Sequence, residues 1–149
     1  MRVLLLLLVL LGACRPRGGP EDGAATARGA VDAFMSSARS QDLQAMASVW
    51  GNQRGPARDQ WPERELEMRA MALMCFFNHE SYRVLSETQG ESQRAIVVEM
   101  RKGPMQAQVN FTTVRGPGGR WFVQEAPVEG LTQFCANRPA PSSPPPGTR

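Results

Sequence analysis

Met105-Gln106-Ala107-Gln108-Val109-Asn110-Phe111-Thr112 alternates apolar with amide or hydroxyl side chains without a break. Successive side chains of a strand point to opposite faces, so this stretch demands a sheet with one buried face and one wet face. Upstream, Lys102-Gly103-Pro104 turns the chain back onto Ile96, Val98 and Met100, which alternate in the same way. Gln89-Gly90-Glu91 separates these from a weaker run at Tyr82, Val84 and Leu85. Downstream, Gly116-Pro117-Gly118-Gly119 leads into Trp121-Phe122-Val123. Four strands joined by such short connections predict an antiparallel meander.

Before residue 80 the period changes. Val31, Phe34, Met35 and Ala38 fall on one face of a helix starting near Ala25, and Leu43, Met46, Val49 and Trp50 repeat the spacing in a second, shorter helix ending at Gly51. Ser40-Gln41-Asp42 between them offers a cap, which predicts a helical hairpin. Asn52 to Asp59 contains Gly55-Pro56 and reads as a loop. A third helix is expected from a cap at Asp59, with Pro62 in its first turn and Glu63 and Glu65 near its positive end, running to Asn78-His79. Its C-terminal half is apolar almost all round, which predicts burial. Val128 to Phe134 adds a helical turn that brings Cys135 to the core. The fold class expected is α+β, with N-terminal helices on a curved four-stranded antiparallel meander.

The ends of the chain are of a different kind. Arg2 precedes Val3 to Leu11, nine consecutive Val or Leu residues, and small residues follow at Gly12 and Ala13. Basic start, apolar core and small-residue cleavage site are the order of a secretory signal peptide. Nine residues rise only about 14 Å as a helix, too short to cross a hydrocarbon core of about 30 Å. Leu11-Gly12-Ala13-Cys14 resembles the lipobox of bacterial lipoproteins, in which cleavage falls between Ala13 and Cys14 and the Cys sulfur is acylated. An ordinary signal cut at Ala13, with Cys14 a chance cysteine, is the alternative. The resemblance implies a palmitate-bearing membrane anchor, held firmly because several acyl chains bind where one binds marginally. Arg15 rather than Asp after the Cys leans, by resemblance to enteric lipoproteins, towards the outer membrane facing the periplasm.

The organisation expected is therefore a signal peptide over residues 1–13, a lipidated Cys and flexible linker over 14–23, a single α+β domain over 24–137, and a disordered Pro-rich tail over 138–149. Net charge is +3, from 17 Lys and Arg against 14 Asp and Glu, and Lys102 is the only lysine. The arginines are scattered and form no basic stripe, so the pI near 9.1 is no argument for nucleic acid. Once Cys14 is acylated, Cys75 and Cys135 remain, an even number in an oxidising compartment. They read as a disulfide or as two free buried thiols.

Three N-terminal helices followed by a curled meander resemble the nuclear transport factor two-like superfamily, a cone-shaped α+β fold. Ser40-Gln41-Asp42-Leu43 within Val31 to Trp50 and Gly118-Gly119-Arg120-Trp121-Phe122-Val123 carry the resemblance. The superfamily includes isomerases, dehydratases, epoxide hydrolases and accessory or binding domains, so the fold leaves function open.

Enzymatic members place ionisable groups inside the cone, since proton transfer needs a positioned group of shifted pKa. Here the apolar face of Met105, Ala107, Val109 and Phe111 holds none. Glu99 and Glu125 read either as an internal acid pair or as solvated strand positions, and Tyr82 as a core edge with a wet hydroxyl. His79 is the sole histidine, so any Ser-His-Asp set must include it; a cation at a helix C-terminus explains it equally. Met68, Met71, Met74, Cys75 and His79 are soft ligands suited to Cu(I), though methionines also fill irregular cores. Arg54 and Arg58 with Asp59 offer an anion or a partner's carboxylate a site, against a plain solvated loop. Trp50 and Trp61 flank that loop as a contact patch for a partner or glycan.

These features point to a lipid-anchored cell-envelope lipoprotein whose domain binds a small apolar ligand or another envelope protein without catalysis, with no catalytic residue, cofactor or metal assigned and no nucleic acid. A small cone-fold enzyme, isomerase or hydrolase, and a structural accessory subunit of an envelope complex are the alternatives.

Overall fold

The computed structural model describes residues 21–136. The signal peptide, Cys14 and most of the linker, and the Pro-rich tail lie outside the described residues.

Thr26 opens the first helix, α1 (Ala27–Ser40), accepting from the Gly29 N–H. Gln41 ends it in the left-handed region at φ 57°, which lets Asp42 N–H return to the Ser37 carbonyl. Asp42 then caps α2 (Leu43–Val49) by accepting from Ala45 N–H at 3.0 Å. The Gln41 side chain also donates to the Met74 carbonyl, so the joint of the helical hairpin is tied to the third helix.

The loop expected from Asn52 has more structure than its composition suggests. Gly51–Asn52 (β1) pairs antiparallel with Gly55–Pro56 (β2), and a Cβ at residue 51 would collide with the Gly55 carbonyl, so glycine is required there. A 3-10 turn, Ala57–Asp59, follows. Asp59 therefore ends a turn and caps nothing; α3 (Glu63–Phe76) starts after Pro62, which occupies the cap position with no side-chain bond. Glu63 and Glu65 do stand in its first turn. Burial of α3 also departs from expectation. Leu66, Ala70 and Met74 are buried, whereas Met68 and Met71 are 56% and 49% exposed, because the other elements pack along one side of this helix alone.

The meander is as predicted: β3 (Ser81–Glu87), β4 (Gln93–Lys102), β5 (Met105–Arg115) and β6 (Trp121–Glu125) are hydrogen-bonded in sequence order, each pair antiparallel. Ile96 faces Phe111, Val98 faces Val109 and Met100 faces Ala107, so the apolar positions of both strands share one face. A bulge between Val84 and Ser86 throws Leu85 outward to 40% exposure. A second irregularity, at Thr112 and Thr113, bends the sheet between β5 and β6.

The helices cover the apolar face. Phe34 of α1, Phe77 at the end of α3 and Phe111 of β5 meet with ring centroids 5.2 to 5.6 Å apart, and all are fully buried. The far edge of β6 is closed by bridges from Ala24 to Trp121 and from Trp50 to Val123. Gly23 N–H donates to the Ser48 carbonyl, and Arg120 donates to the Asp22 and Gly23 carbonyls. The expected linker thus loses its last residues to the domain.

At the other end α4 (Thr132–Cys135) buries Leu131 and Phe134 and carries Cys135 to Cys75, Cα to Cα 4.7 Å, as a disulfide across 60 residues. Among the described residues no helix is long and apolar enough to cross a membrane.

Candidate functional site

The surface singled out by Trp50, Arg54, Arg58 and Trp61 is built where α2 runs into the short hairpin. Trp50 leaves α2 in extended conformation, its N–H on the Met46 carbonyl and its own carbonyl accepting from Ala57. The 3-10 turn then brings Trp61 against it, edge to face, with centroids 4.7 Å apart and planes at 84°. Ala47, Ala57 and Leu66 form the buried floor beneath the two half-buried rings. Above them the Arg69 guanidinium lies 4.3 Å from the Trp61 centroid, steadied by hydrogen bonds to Glu65 one turn earlier on α3. Gln60 holds the corner rigid: its amide donates to the Gly55 and Pro56 carbonyls and its oxygen accepts from Asn52. A cleft of about 120 Å³ opens between the rings, Asn52, Gln60 and Gln124.

Two of the four expected residues are thus brought together and two are not. The edge of one ring meets the face of the other, and both tryptophans stay half-buried, so part of each remains open to solvent beside Arg69. Arg54 is exposed at the hairpin tip. Arg58 pairs with Asp22, so the carboxylate it meets in this structure is the domain's own.

The residues weighed for chemistry are likewise redistributed. Glu99 and Glu125 form no internal acid pair. Glu125 is exposed at the end of β6 and accepts from the Thr112 hydroxyl, while Glu99 lies on the face turned away from the helices among arginines. The hydrogen bond from Arg83, then that from Arg101, holds the Glu99 carboxyl below its ordinary value despite burial.

Tyr82 donates to Asp32 of α1 at 2.8 Å, and burial together with that carboxylate pushes its phenol up to about 12, so it keeps its proton. His79 stands edge-on to Tyr82 at 5.3 Å. It is buried, and Nδ1, at 2.7 Å from the Phe77 carbonyl, is the nitrogen that donates. Loss of water lowers its pKa, which favours the neutral ring over the cation expected at the helix end. Its Nε2 is buried without a partner.

The soft-ligand cluster does not converge. Met68 and Met71 face outward, Met74 inward, Cys75 is in the disulfide and His79 is turned to Phe77. Among the described residues no group of three His, Cys, Asp or Glu is placed to hold a metal.

Phe34, Phe77 and Phe111 meet, fully buried, between the helices and the inner face of the sheet. What sequence reasoning missed is polar: Asp32 as the partner of Tyr82 fifty residues away, Gln60 as the brace of the tryptophan corner, and Glu99 as a buried acid on a wet face. Only Gln60 left a local signal, as an amide next to a tryptophan in a turn. No protein-family model matches the chain, and no curated protein and no solved structure matches it either.

Proposed function

We propose that this chain is an exported, lipid-anchored cell-envelope protein whose nuclear transport factor two-like domain binds a partner protein without catalysis, at the corner built by Trp50, Trp61 and Arg69. The meeting of Phe34, Phe77 and Phe111 supports the reading: their rings pack fully buried between helices and sheet, and recognition is assigned to the surface. Trp and Arg supply most binding energy at protein interfaces when they sit rigid beside a polar rim, and Arg69 over Trp61 next to Gln60 and Asn52 has that form. Leu11-Gly12-Ala13-Cys14 supports the anchor and an outer-membrane site facing the periplasm.

The test is made in cells. Radiolabelled palmitate is expected on the native protein and absent from Cys14→Ser, which leaves the membrane fraction. A photoreactive side chain at position 60 should crosslink one envelope protein, and Trp61→Ala should weaken that complex at least about tenfold. An unlabelled Cys14 removes the anchor from the reading, and a complex indifferent to Trp61→Ala and Arg69→Ala removes the corner.

A further inference from the structure

Glu99 stands with Gln106, Gln108 and Asn110 on the sheet face turned away from the helices, yet it is only 3% exposed. Side chains, not a second layer of structure, do the burying. Arg83 donates from β3 through Nε at 2.9 Å, and Arg101 from β4 through Nη2 at 3.1 Å and Nε at 3.3 Å, all to Oε1. Gln106 from β5 donates to Oε2 at 2.7 Å. A carboxylate withdrawn from water needs such partners to stay ionised.

One arginine would satisfy that need; here there are two, and the spot keeps a positive charge in excess. Both remain more than half exposed, 66% for Arg83 and 54% for Arg101, so each guanidinium is gripped along one side and open to solvent on the rest. Free arginine side chains lose rotamer freedom when they take a ligand, and a carboxylate that already holds both forks removes much of that cost. The two line a depression of about 260 Å³ together with Ser81, Tyr82 and Glu99 itself, whose carboxylate is taken up by the hydrogen bonds from both guanidiniums and from Gln106. Guanidinium forks match the planar or tetrahedral oxygens of carboxylates and phosphates, which they bind in bidentate fashion.

We propose that Arg83 and Arg101, oriented by Glu99 and Gln106, form a receptor for an oxyanion, a carboxylate or a phosphate group. This goes beyond the reading of the tryptophan corner by assigning a second surface, the outer sheet face, and it depends neither on Cys14 nor on that corner.

The test uses the full chain labelled with nitrogen-15, its arginine Nε–Hε signals followed during titration with sodium phosphate and with sodium acetate, against sodium chloride at equal ionic strength. The Arg83 and Arg101 signals should stand apart from those of mobile arginines and move saturably, with a millimolar midpoint, for at least one oxyanion and not for chloride. Arg83→Gln, at an exposed position that tolerates the change, should raise that midpoint at least tenfold. Glu99→Gln sharpens the test: charge alone predicts tighter binding once a negative group is gone, whereas loss of the anchor predicts binding at least threefold weaker and an Arg83 signal moved to the mobile position.

Arginine signals that move equally with chloride, or not at all, overturn the receptor, and tighter binding by Glu99→Gln overturns the orienting role. Hexaglutamate and phosphatidylglycerol vesicles then separate an acidic protein from a lipid headgroup as the source. The position-60 crosslink does not involve this face, so either reading can fail alone.

Discussion

The two faces of the four-stranded sheet solve burial in opposite ways. On the inner face Ile96, Val98, Met100, Val109 and Phe111 are removed from water by helices, and the stability comes from close packing of apolar volume. On the outer face no element among the described residues lies over the strands, and Glu99 is still as buried as its apolar neighbours because side chains of the same sheet close over it. Each side also holds one withdrawn ionisable group. His79, on the helix side, is kept neutral by the loss of water, while Glu99 is kept charged by two arginines. Burial alone therefore does not say which form a titratable group takes; the partner within hydrogen-bond reach does.

The largest effect should come from cutting into the inner face. Phe111→Ala removes the ring that touches both Phe34 and Phe77 and is expected to cost about 3–5 kcal/mol, whereas Gln108→Ala, at an exposed outward position three residues earlier on the same strand, should stay within about 0.5 kcal/mol. Urea unfolding midpoints measure both, and similar losses would erase the distinction between the faces. Next in size is the staple. Replacing Cys75 and Cys135 together by Ser opens a loop of 60 residues and should lower stability by about 2–4 kcal/mol, with the far-ultraviolet spectrum unchanged. A loss below about 0.5 kcal/mol would mean that inner-face packing places α4 without help.

The smallest effect is the pH response, in which the two withdrawn groups should separate. His79 has a lowered pKa, so below the ordinary value of 6.5 the unfolded chain binds a proton that the folded chain refuses, and stability falls as pH drops through that range. Arg39 is the nearby cation that opposes its protonation, with Tyr82 against the ring. Glu99 has the opposite arrangement: its stabilisation is complete above its ordinary value near 4.5 and is lost only as pH falls below that. Thermal melts of His79→Leu between pH 7 and 5 should show a flatter dependence than the native chain. An unchanged slope would assign that range to other groups.

The alternation of Met105 to Thr112 and the caps at Thr26 and Asp42 were readable because they are local: a strand pattern and a cap engage residues a few positions apart. Asp59 shows where local reading fails. It has the right chemistry for a cap, but a 3-10 turn uses the residue first and α3 starts without one. The two tryptophans could be singled out as a pair flanking a loop, but their edge-to-face contact depends on the angle between α2 and the 3-10 turn, which no local pattern records.

By itself the sequence determined the order of elements, the faces of the strands and the helical hairpin. Periodicity and composition carry these, because they follow from backbone geometry within one element. The tertiary structure alone decided depth: that Met68 and Met71 of an apolar helix stay in water, that Arg58 is spent on Asp22, and that Glu99 on the wet face is withdrawn between two arginines. A pattern along one element records which side a residue is on, whereas what covers that side comes from residues distant in the chain.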